Sequence, residues 1–386
     1  FAMGNRSWGA GEFKEAIGLY ELALDLDPEF ATCRGSLGLL LIQFGGDPER
    51  GRAELSRALV DGETLPRDEY LMLRAANRHF VDQDLEGALG EYELICELYP
   101  RHSAAHNNRG RLLLRLGRYE EAAVMFEKAA EIDPRGAVPI INLAFMYITR
   151  LPNPAAAEDA CRRLVAIDPE IANYHSMMGW ALAVQGRFDE AQEVFERALE
   201  LEPEHPYALP NLGYTLVAAG KPEVALLYFR RNLARIRAQG LDQAERGGIL
   251  DVAAVLSASG DTVQTHQFVD QAIAELDEEM TGKEWVLDDH AYLAQLLAAA
   301  GRFGEGEEQL AVVVAMEAGN AQSQLEVARA CAVLGHRECA IEGTRKAYEM
   351  GFRDPFLPML LPAMNSLYGD PEFMELFPVN GSKREF

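Results

Sequence analysis

The stretch RLGRYEEAAVMFEKAAEIDP, from Arg115 to Pro134, decides the architecture because it recurs as VQGRFDEAQEVFERALELEP, from Val184 to Pro203. Both copies place Gly, an aromatic ring, two Ala, a Phe and a terminal Pro at the same positions. Self-similarity at a fixed period of about 20 to 50 residues is the signature of repeat architectures. The sequence therefore predicts a chain of stacked repeats, in which no repeat can bury its apolar face alone.

Two residue types mark the ends of the helices in each repeat. Gly stands two residues before an aromatic residue and tolerates the left-handed conformation that ends a first helix. Pro ends the second helix, because it cannot donate to the helical hydrogen-bond ladder. The spacing from one Pro to the next is 34, 35 and 34 residues along Pro100, Pro134, Pro169 and Pro203. The turn glycines are Gly11, Gly117, Gly186 and Gly301, with weaker sequels at Gly220 and Gly335.

Small residues recur seven positions apart inside the second helix, with a large ring between them. This spacing places both small residues on one helical face, where the paired helix can approach closely. We expect the ring to fill the gap between neighbouring repeats. The sets are Ala16, Tyr20 and Ala23; Ala122, Phe126 and Ala129; and Ala191, Phe195 and Ala198.

The stretches NNRGRLLLRLGRYEEAAVMFEKAAEIDP (Asn107 to Pro134) and SMMGWALAVQGRFDEAQEVFERALELEP (Ser176 to Pro203) resemble the tetratricopeptide repeat (TPR) family. The resemblance implies an all-α fold, a right-handed α-solenoid of antiparallel helix pairs with a C-terminal helical cap. It covers about ten repeats: 1–28, 31–60, 69–100, 103–134, 138–169, 172–203, 206–234, 247–275, 288–316 and 322–350. We assign 1–234 to an N-terminal TPR array, 235–350 to a C-terminal TPR-like array with longer connections, and 351–386 to capping helices and tail.

The two ends of the chain depart from the period. Phe1 to Gly4 looks like the last turn of a first helix, which favours a fragment or a vector-derived start. The tail from Gly351 to Phe377 is rich in Phe, Leu and Met, and its Asp-Pro-Glu-Phe at 370–373 resembles the tails that close many bacterial TPR arrays. We expect the tail to cover the apolar face of the last repeat, and binding of another protein is the alternative.

The charge balance narrows the class of partner. The 386 residues carry a formal net charge of −25, so a phosphate backbone or an anionic membrane is a poor partner. No apolar run reaches the roughly 18 residues of a membrane span, and the start lacks the sections of a secretory signal. We expect a cytoplasmic protein, with the periplasm as the alternative because a cleaved signal leaves no trace. Six lysines against thirty arginines favour a GC-rich bacterial source.

The cysteine pattern also favours a reducing compartment. Five cysteines without a C-x-x-C pair argue against a disulfide framework or a zinc site. We expect them to pack as small buried side chains. Cys331 and Cys339 fall on neighbouring predicted helices and could approach each other.

Motifs of catalysis are absent from the sequence. It contains no G-x-S-x-G and no phosphate-binding G-x-x-x-x-G-K-[ST]. His102 and His106 share a helical face but lack the Glu of an H-E-x-x-H site, so we expect them to lie on a helix surface or to pack between helices. The sequence predicts a protein that is not an enzyme and that needs no cofactor and no metal.

The TPR resemblance implies that the first helix of each repeat lines a concave groove. Its inward positions carry Asn in the middle, Arg at one end and aromatic residues at the other. The predicted partner-binding residues are Arg74, Asn77, Asn107, Asn108, Arg111, Arg115, Asn142, Phe145, Asn173, Met177, Trp180, Tyr207, Asn211 and Tyr214.

A row of Asn side chains can pair with the main chain of an extended peptide, because each amide both donates and accepts. The row resembles the asparagine ladder of the TPR domain of O-linked N-acetylglucosamine transferases, although Met177 interrupts it. The alternative is that these Asn are polar residues of a solvated helix face. The aromatic residues either anchor a partner's apolar side chain or pack between repeats.

The arginines Arg74, Arg111 and Arg115 suit an acidic peptide or a free carboxylate, or else they pair with Glu on adjacent helices. The carboxylate clamp of TPR co-chaperones is not reproduced, because Leu73 and Val138 occupy two of its basic positions.

Three functions follow as hypotheses. The first is a scaffold that binds an extended peptide or a helix of a partner protein in the groove. The second is a regulatory or assembly subunit of a larger secretion, envelope or polysaccharide machine. The third is the TPR portion of a longer enzyme or signalling protein. Self-association through an end repeat is a further option, since uncapped arrays stack on themselves.

Overall fold

The computed structural model describes residues 1–9, 13–151, 153–350, 352, 367 and 370–376, and within them the chain forms helices and no strand. Helices alternate between the first and the second member of a pair, so odd-numbered helices are called first helices and even-numbered ones, up to α20, second helices. The all-α prediction of consecutive helix pairs is confirmed. The helices are α1 Ala2–Gly9, α2 Phe13–Leu26, α3 Ala31–Gln43, α4 Pro48–Asp61, α5 Arg67–Phe80, α6 Leu85–Leu98, α7 Ser103–Arg115, α8 Tyr119–Ile132, α9 Ala137–Thr149, α10 Pro154–Ile167, α11 Ala172–Ala183, α12 Phe188–Leu201, α13 Ala208–Ala218, α14 Pro222–Ala238, α15 Asp242–Ala258, α16 Thr262–Glu279, α17 Leu287–Ala299, α18 Phe303–Ala315, α19 Ala321–Val333, α20 Arg337–Glu349 and α21 Pro371–Glu375.

The chain divides into two compact bodies, Phe1–Asn142 and Leu143–Phe386. In the N-terminal body, α1 packs on α2, α3 on α4, α5 on α6 and α7 on α8, and each of α2, α4 and α6 also contacts the next first helix. The C-terminal body repeats this pattern in the pairs α11–α12, α13–α14, α17–α18 and α19–α20. The predicted division after residue 234 stays a prediction.

The turns within the pairs follow the glycine pattern. Gly117, Gly186, Gly220, Gly301 and Gly335 have φ between 71° and 83°, a region that residues with a Cβ rarely adopt. The left-handed end of the first helix is confirmed at these positions. Gly11 lies outside the described residues.

Four rings of second helices lie over a glycine of their own first helix. A Cβ added to Gly179 would stand 2.8 Å from Cδ1 of Phe195, and one added to Gly110 would stand 2.7 Å from Cε1 of Phe126. These rings pack inside a repeat, where glycine lets the two helices approach, and the expectation that they also fill the gap between repeats stays a prediction. The same relation joins Gly4 to Tyr20 and Gly213 to Phe229.

Side chains also stabilise the links between repeats, where Pro leaves a carbonyl beyond the helical ladder. His106 Nε2 lies 3.1 Å from the Pro100 carbonyl, and His175 Nε2 lies 2.7 Å from the Pro169 carbonyl. At a later link, Arg231 donates to the Pro203 carbonyl at 2.6 Å. The histidine of the predicted i, i+4 pair thus has a structural role at a link, as we expected of a packing residue.

The described part of the tail packs on the last helix pair. The Phe373 side chain is fully buried in the apolar cluster formed by α19 and α20, together with Leu367. Arg337 at the start of α20 pairs with both carboxylate oxygens of Asp370, with 2.8 Å from Nη2 to Oδ1. These residues form the cap predicted for the last repeat, and the remaining tail lies outside the described residues.

The cysteines differ from the expectation in one pair. Cys331 on α19 and Cys339 on α20 are joined in a disulfide, with their Cα atoms 5.7 Å apart. The other three, Cys33, Cys96 and Cys161, are free and buried. The expectation that all five are unpaired is corrected, because the α19–α20 turn brings two of them face to face.

Candidate functional site

The first helices of the N-terminal body carry a chain of hydrogen-bonded amides. Asn142 Nδ2 on α9 donates to Asn107 Oδ1 on α7 at 2.9 Å, and Asn107 Nδ2 donates to Asn108 Oδ1 at 3.2 Å. Asn108 in turn hydrogen-bonds the buried Tyr92 hydroxyl. Asn107 is buried, whereas Asn108 and Asn142 are half-buried. We call Asn142, Asn107 and Asn108 the amide relay, and it fixes the orientation of two surface amides.

Two arginines beside the amide relay have no carboxylate partner among the described residues. Arg111 donates to Gln43 Oε1 at 3.1 Å, and Arg115 Nη1 lies 2.8 Å from His79 Nε2. Burial, followed by the charges of Arg115 and Arg111, lowers the pKa of His79 to about 4. His79 is therefore neutral near pH 7 and accepts the Arg115 hydrogen bond. Both exposed arginines keep their positive charge available to an anion.

The third predicted arginine is engaged. Arg74 Nη2 lies 2.5 Å from Glu91 Oε2, and Arg78 holds the other oxygen of Glu91 at 3.1 Å. Because Glu91 is buried, these pairs neutralise a charge inside the helix packing. Of the two alternatives for Arg74, the structure shows the pairing with a Glu of an adjacent helix.

Three predicted groove residues do not lie on an open surface. Asn77, Asn107 and Met177 are buried, which corrects their placement among solvent-facing residues. Asn77 Nδ2 has no hydrogen-bond partner among the described residues. Asn173 Nδ2 lies 3.9 Å from the Met177 sulfur, so this amide contacts a thioether.

The aromatic residues of the C-terminal body divide into packed and exposed ones. Phe145 on α9 is exposed at its edge and packs T-shaped on Trp180 of α11, with ring centroids 6.3 Å apart. The Trp180 Nε1 is buried and has no partner among the described residues. Tyr207 precedes α13 and is 64% exposed, and Asn211 on α13 is half-buried.

Tyr214 leads to residues that the sequence did not single out. Its hydroxyl donates to Asp251 Oδ2 on α15 at 2.8 Å, so it is not free for a ligand. Asp251 lines a cavity that Gln295 on α17 and Arg329 on α19 also line. A sequence signal existed, because Asp251 and Arg329 each interrupt an apolar run of a first helix, in ILDVAAVL and EVARACAV.

The described residues lack both a membrane-spanning helix and a metal-binding cluster. They form no helix that is both long and apolar enough to span a bilayer. They also contain no cluster of three or more His, Cys, Asp or Glu arranged to hold a metal ion.

Comparisons with known proteins agree with the helix pairing. Two family models, both described as tetratricopeptide repeat, match residues 103–135 and 176–240. The type IV pilus assembly protein PilF of Pseudomonas aeruginosa is 30% identical over 162 residues, which are 41% of this chain and 60% of PilF. A TPR repeat-containing protein of Synechococcus elongatus is 30% identical over 217 residues, covering 53% of this chain and 52% of that protein.

Among solved structures, PilW, described as a widely conserved type IV pilus biogenesis factor, is 21% identical with a TM-score of 0.48. The match covers 60% of this chain and 98% of PilW. The chain spans 60% or less of the length of the two curated relatives named above.

Proposed function

Because the chain is a tetratricopeptide repeat protein, we propose that it is a non-enzymatic scaffold whose first helices hold a segment of another protein. TPR proteins generally mediate protein–protein interaction and are generally not enzymes. The amide relay carries the proposal, since it presents two oriented amides beside two arginines that have no carboxylate partner in the described part of the chain.

The chemistry of this face favours an extended acidic segment. Amide groups such as those of Asn108 and Asn142 can both donate to and accept from a peptide main chain. Arg111 and Arg115 supply charge-assisted hydrogen bonds to a carboxylate, from an acidic side chain or a C-terminus. Because the amides bond one another in the absence of a ligand, they lose little rotamer freedom on binding.

The test uses peptides selected from a random-sequence library on the full chain. We expect the double substitution Asn108→Ala and Arg111→Ala to lower the affinity of a selected peptide by about tenfold to a hundredfold, the cost of one charged hydrogen bond. Arg135→Ala removes an equal charge from an exposed link, and Val124→Ala alters an exposed position of the second helix α8. Both controls are expected to leave the affinity unchanged.

A contrary pattern would refute the proposal. If Val124→Ala weakens binding and the double variant does not, the second helices carry the interaction. Absence of any selectable peptide would also count against it.

A second candidate function is favoured by one comparison. PilF is named an assembly protein, and its 30% identity covers 41% of this chain. A subunit of a larger assembly would use the second helices, where Val124 and Leu227 are exposed apolar side chains. Loss of partner binding in Val124→Ala or Leu227→Ala, with the Asn108 and Arg111 variant intact, would favour this function.

A further inference from the structure

The C-terminal body contains a cavity of about 330 Å³ between the first helices α13, α15, α17 and α19. Its walls are largely apolar, with Val217, Leu250, Val255, Ala298 and Val333 among the lining residues. Phe303, at the start of α18, lines it too and is exposed, so it lies at the rim.

Three polar side chains line the cavity from the interior of the helix packing. Asp251 is 6% exposed, Gln295 is 3% exposed and Arg329 is 8% exposed. Burying a charge is costly unless a partner compensates for the lost hydration. The partners of these groups therefore decide what the cavity can accept.

The charges in the cavity do not balance. Arg329 Nη1 pairs with Glu326 at 3.2 Å, and Gln295 Nε2 donates to the same Glu326 at 3.2 Å. Asp251 receives only the neutral Tyr214 hydroxyl among the described residues, and no ion pair. Two carboxylates thus face one guanidinium, which leaves an excess of one negative charge.

The position of Arg329 also restricts the ligand. Its Nε is buried without an acceptor in the described part of the chain. An anion in the cavity would be repelled by the carboxylates of Asp251 and Glu326, whereas a cation would be attracted to them. The cavity therefore favours a group that brings a cation to Asp251.

We propose that this cavity binds one basic side chain, lysine or arginine, of the partner segment. The charged end pairs with Asp251, and the aliphatic stem packs on the apolar walls. The net charge of −25 favours the approach of such a cation. This inference rests on the proposed function, because it names a chemical group of a protein segment that the first helices of the C-terminal body would bind.

The test uses library-selected peptides and two matched variants. Asp251→Asn removes the buried charge and keeps the shape, and it should fold because a buried unpaired carboxylate costs stability. Asp277→Asn makes the same charge change at an exposed position of α16. We expect selected peptides to share a Lys or Arg, and to lose about thirtyfold or more in affinity for Asp251→Asn, the cost of breaking a buried charge pair.

A second arm replaces the shared basic residue of the peptide by norleucine, which keeps the stem and removes the ammonium or guanidinium. The affinity for the wild type should fall by the same factor, with no further loss in Asp251→Asn, as expected for two groups that act as a pair. Equal affinity of wild type and Asp251→Asn would overturn the inference. If binding then still depends on Asn108 and Arg111, the proposed function stands while this inference fails.

Discussion

Tyr214 on α13 donates a 2.8 Å hydrogen bond to Asp251 on α15, and this buried carboxylate has no cation within ion-pair distance among the described residues. Tyr214 was predicted for partner binding from the sequence, whereas Asp251 was not. Burial raises the pKa of Asp251 to about 6, although Arg329 and Tyr214 oppose the shift. At neutral pH this carboxylate is largely ionised, and its neighbours compensate only part of its lost hydration.

This charge predicts a pH-dependent stability. The pKa of Asp251 in the folded chain lies above the unfolded value of 3.8. Protonated Asp251 therefore contributes stability that is fully present below pH 3.8 and is lost as the pH rises through about 6. Asp251→Asn should raise the free energy of unfolding by about 3 kcal/mol above about pH 7 and change it little near pH 4. Urea unfolding at the two pH values, with Asp277→Asn as control, measures this. An equal effect of Asp251→Asn on the free energy of unfolding at both pH values would contradict this prediction. The titratable or charged groups that face Asp251 are Tyr214, Glu326 and Arg329.

The close contact between Gly179 and the Phe195 ring predicts the effect of adding a methyl group at this glycine. Gly179→Ala places a Cβ against the Phe195 ring and should lower the free energy of unfolding by about 1–3 kcal/mol through overpacking. Gly247→Ala is the matched control, because a Cβ there meets nothing within 4 Å. That control should be stabilising by up to about 1 kcal/mol, the difference in helix propensity. Thermal or urea unfolding checks both, and a stabilised Gly179→Ala would refute the packing described here.

The described tail predicts a local effect. Phe373→Ala should destabilise the last helix pair by about 3–5 kcal/mol, because its ring is fully buried there. Hydrogen exchange should accelerate in α19 and α20. Val314→Ala, at an exposed position of α18, should change the exchange very little. Unchanged protection in Phe373→Ala would show that the cap is not needed.

The cysteine pair predicts a thiol count. Under denaturing, non-reducing conditions three thiols should react, those of Cys33, Cys96 and Cys161, and five should react after reduction. Reduction should lower the free energy of unfolding by about 2–3 kcal/mol, as expected for so short a loop. Five reactive thiols before reduction would contradict the disulfide. The expected cytoplasmic, reducing compartment stays a prediction, and this count bears on it.

The helix pairs were predictable because their signals are local. Gly117 and Gly186 mark turns by their own conformational freedom, and that information lies within a few residues. The ring over glycine was predictable in principle, since Gly110 and Phe126 are 16 residues apart and Gly179 and Phe195 have the same spacing.

The site was less predictable because its partners are distant in sequence. Arg74 could pair with Glu91 or stay free, and only the packing of α5 on α6 decides between these. Asp251 and Arg329 lie on two helices separated by a complete repeat, so no local pattern brings them together. Their position inside apolar runs indicated a buried charge but could not identify its neighbours.

Photo-crosslinking distinguishes a partner segment held by first helices from one held by second helices. A benzoylphenylalanine at Val138 of the first helix α9 is compared with one at Val124 of the second helix α8, two exposed valines in the same body. The probe is a selected peptide, and its crosslinks are located by mass spectrometry. Binding by the first helices predicts crosslinks from position 138 and none from position 124. Crosslinks from position 124 alone would contradict it.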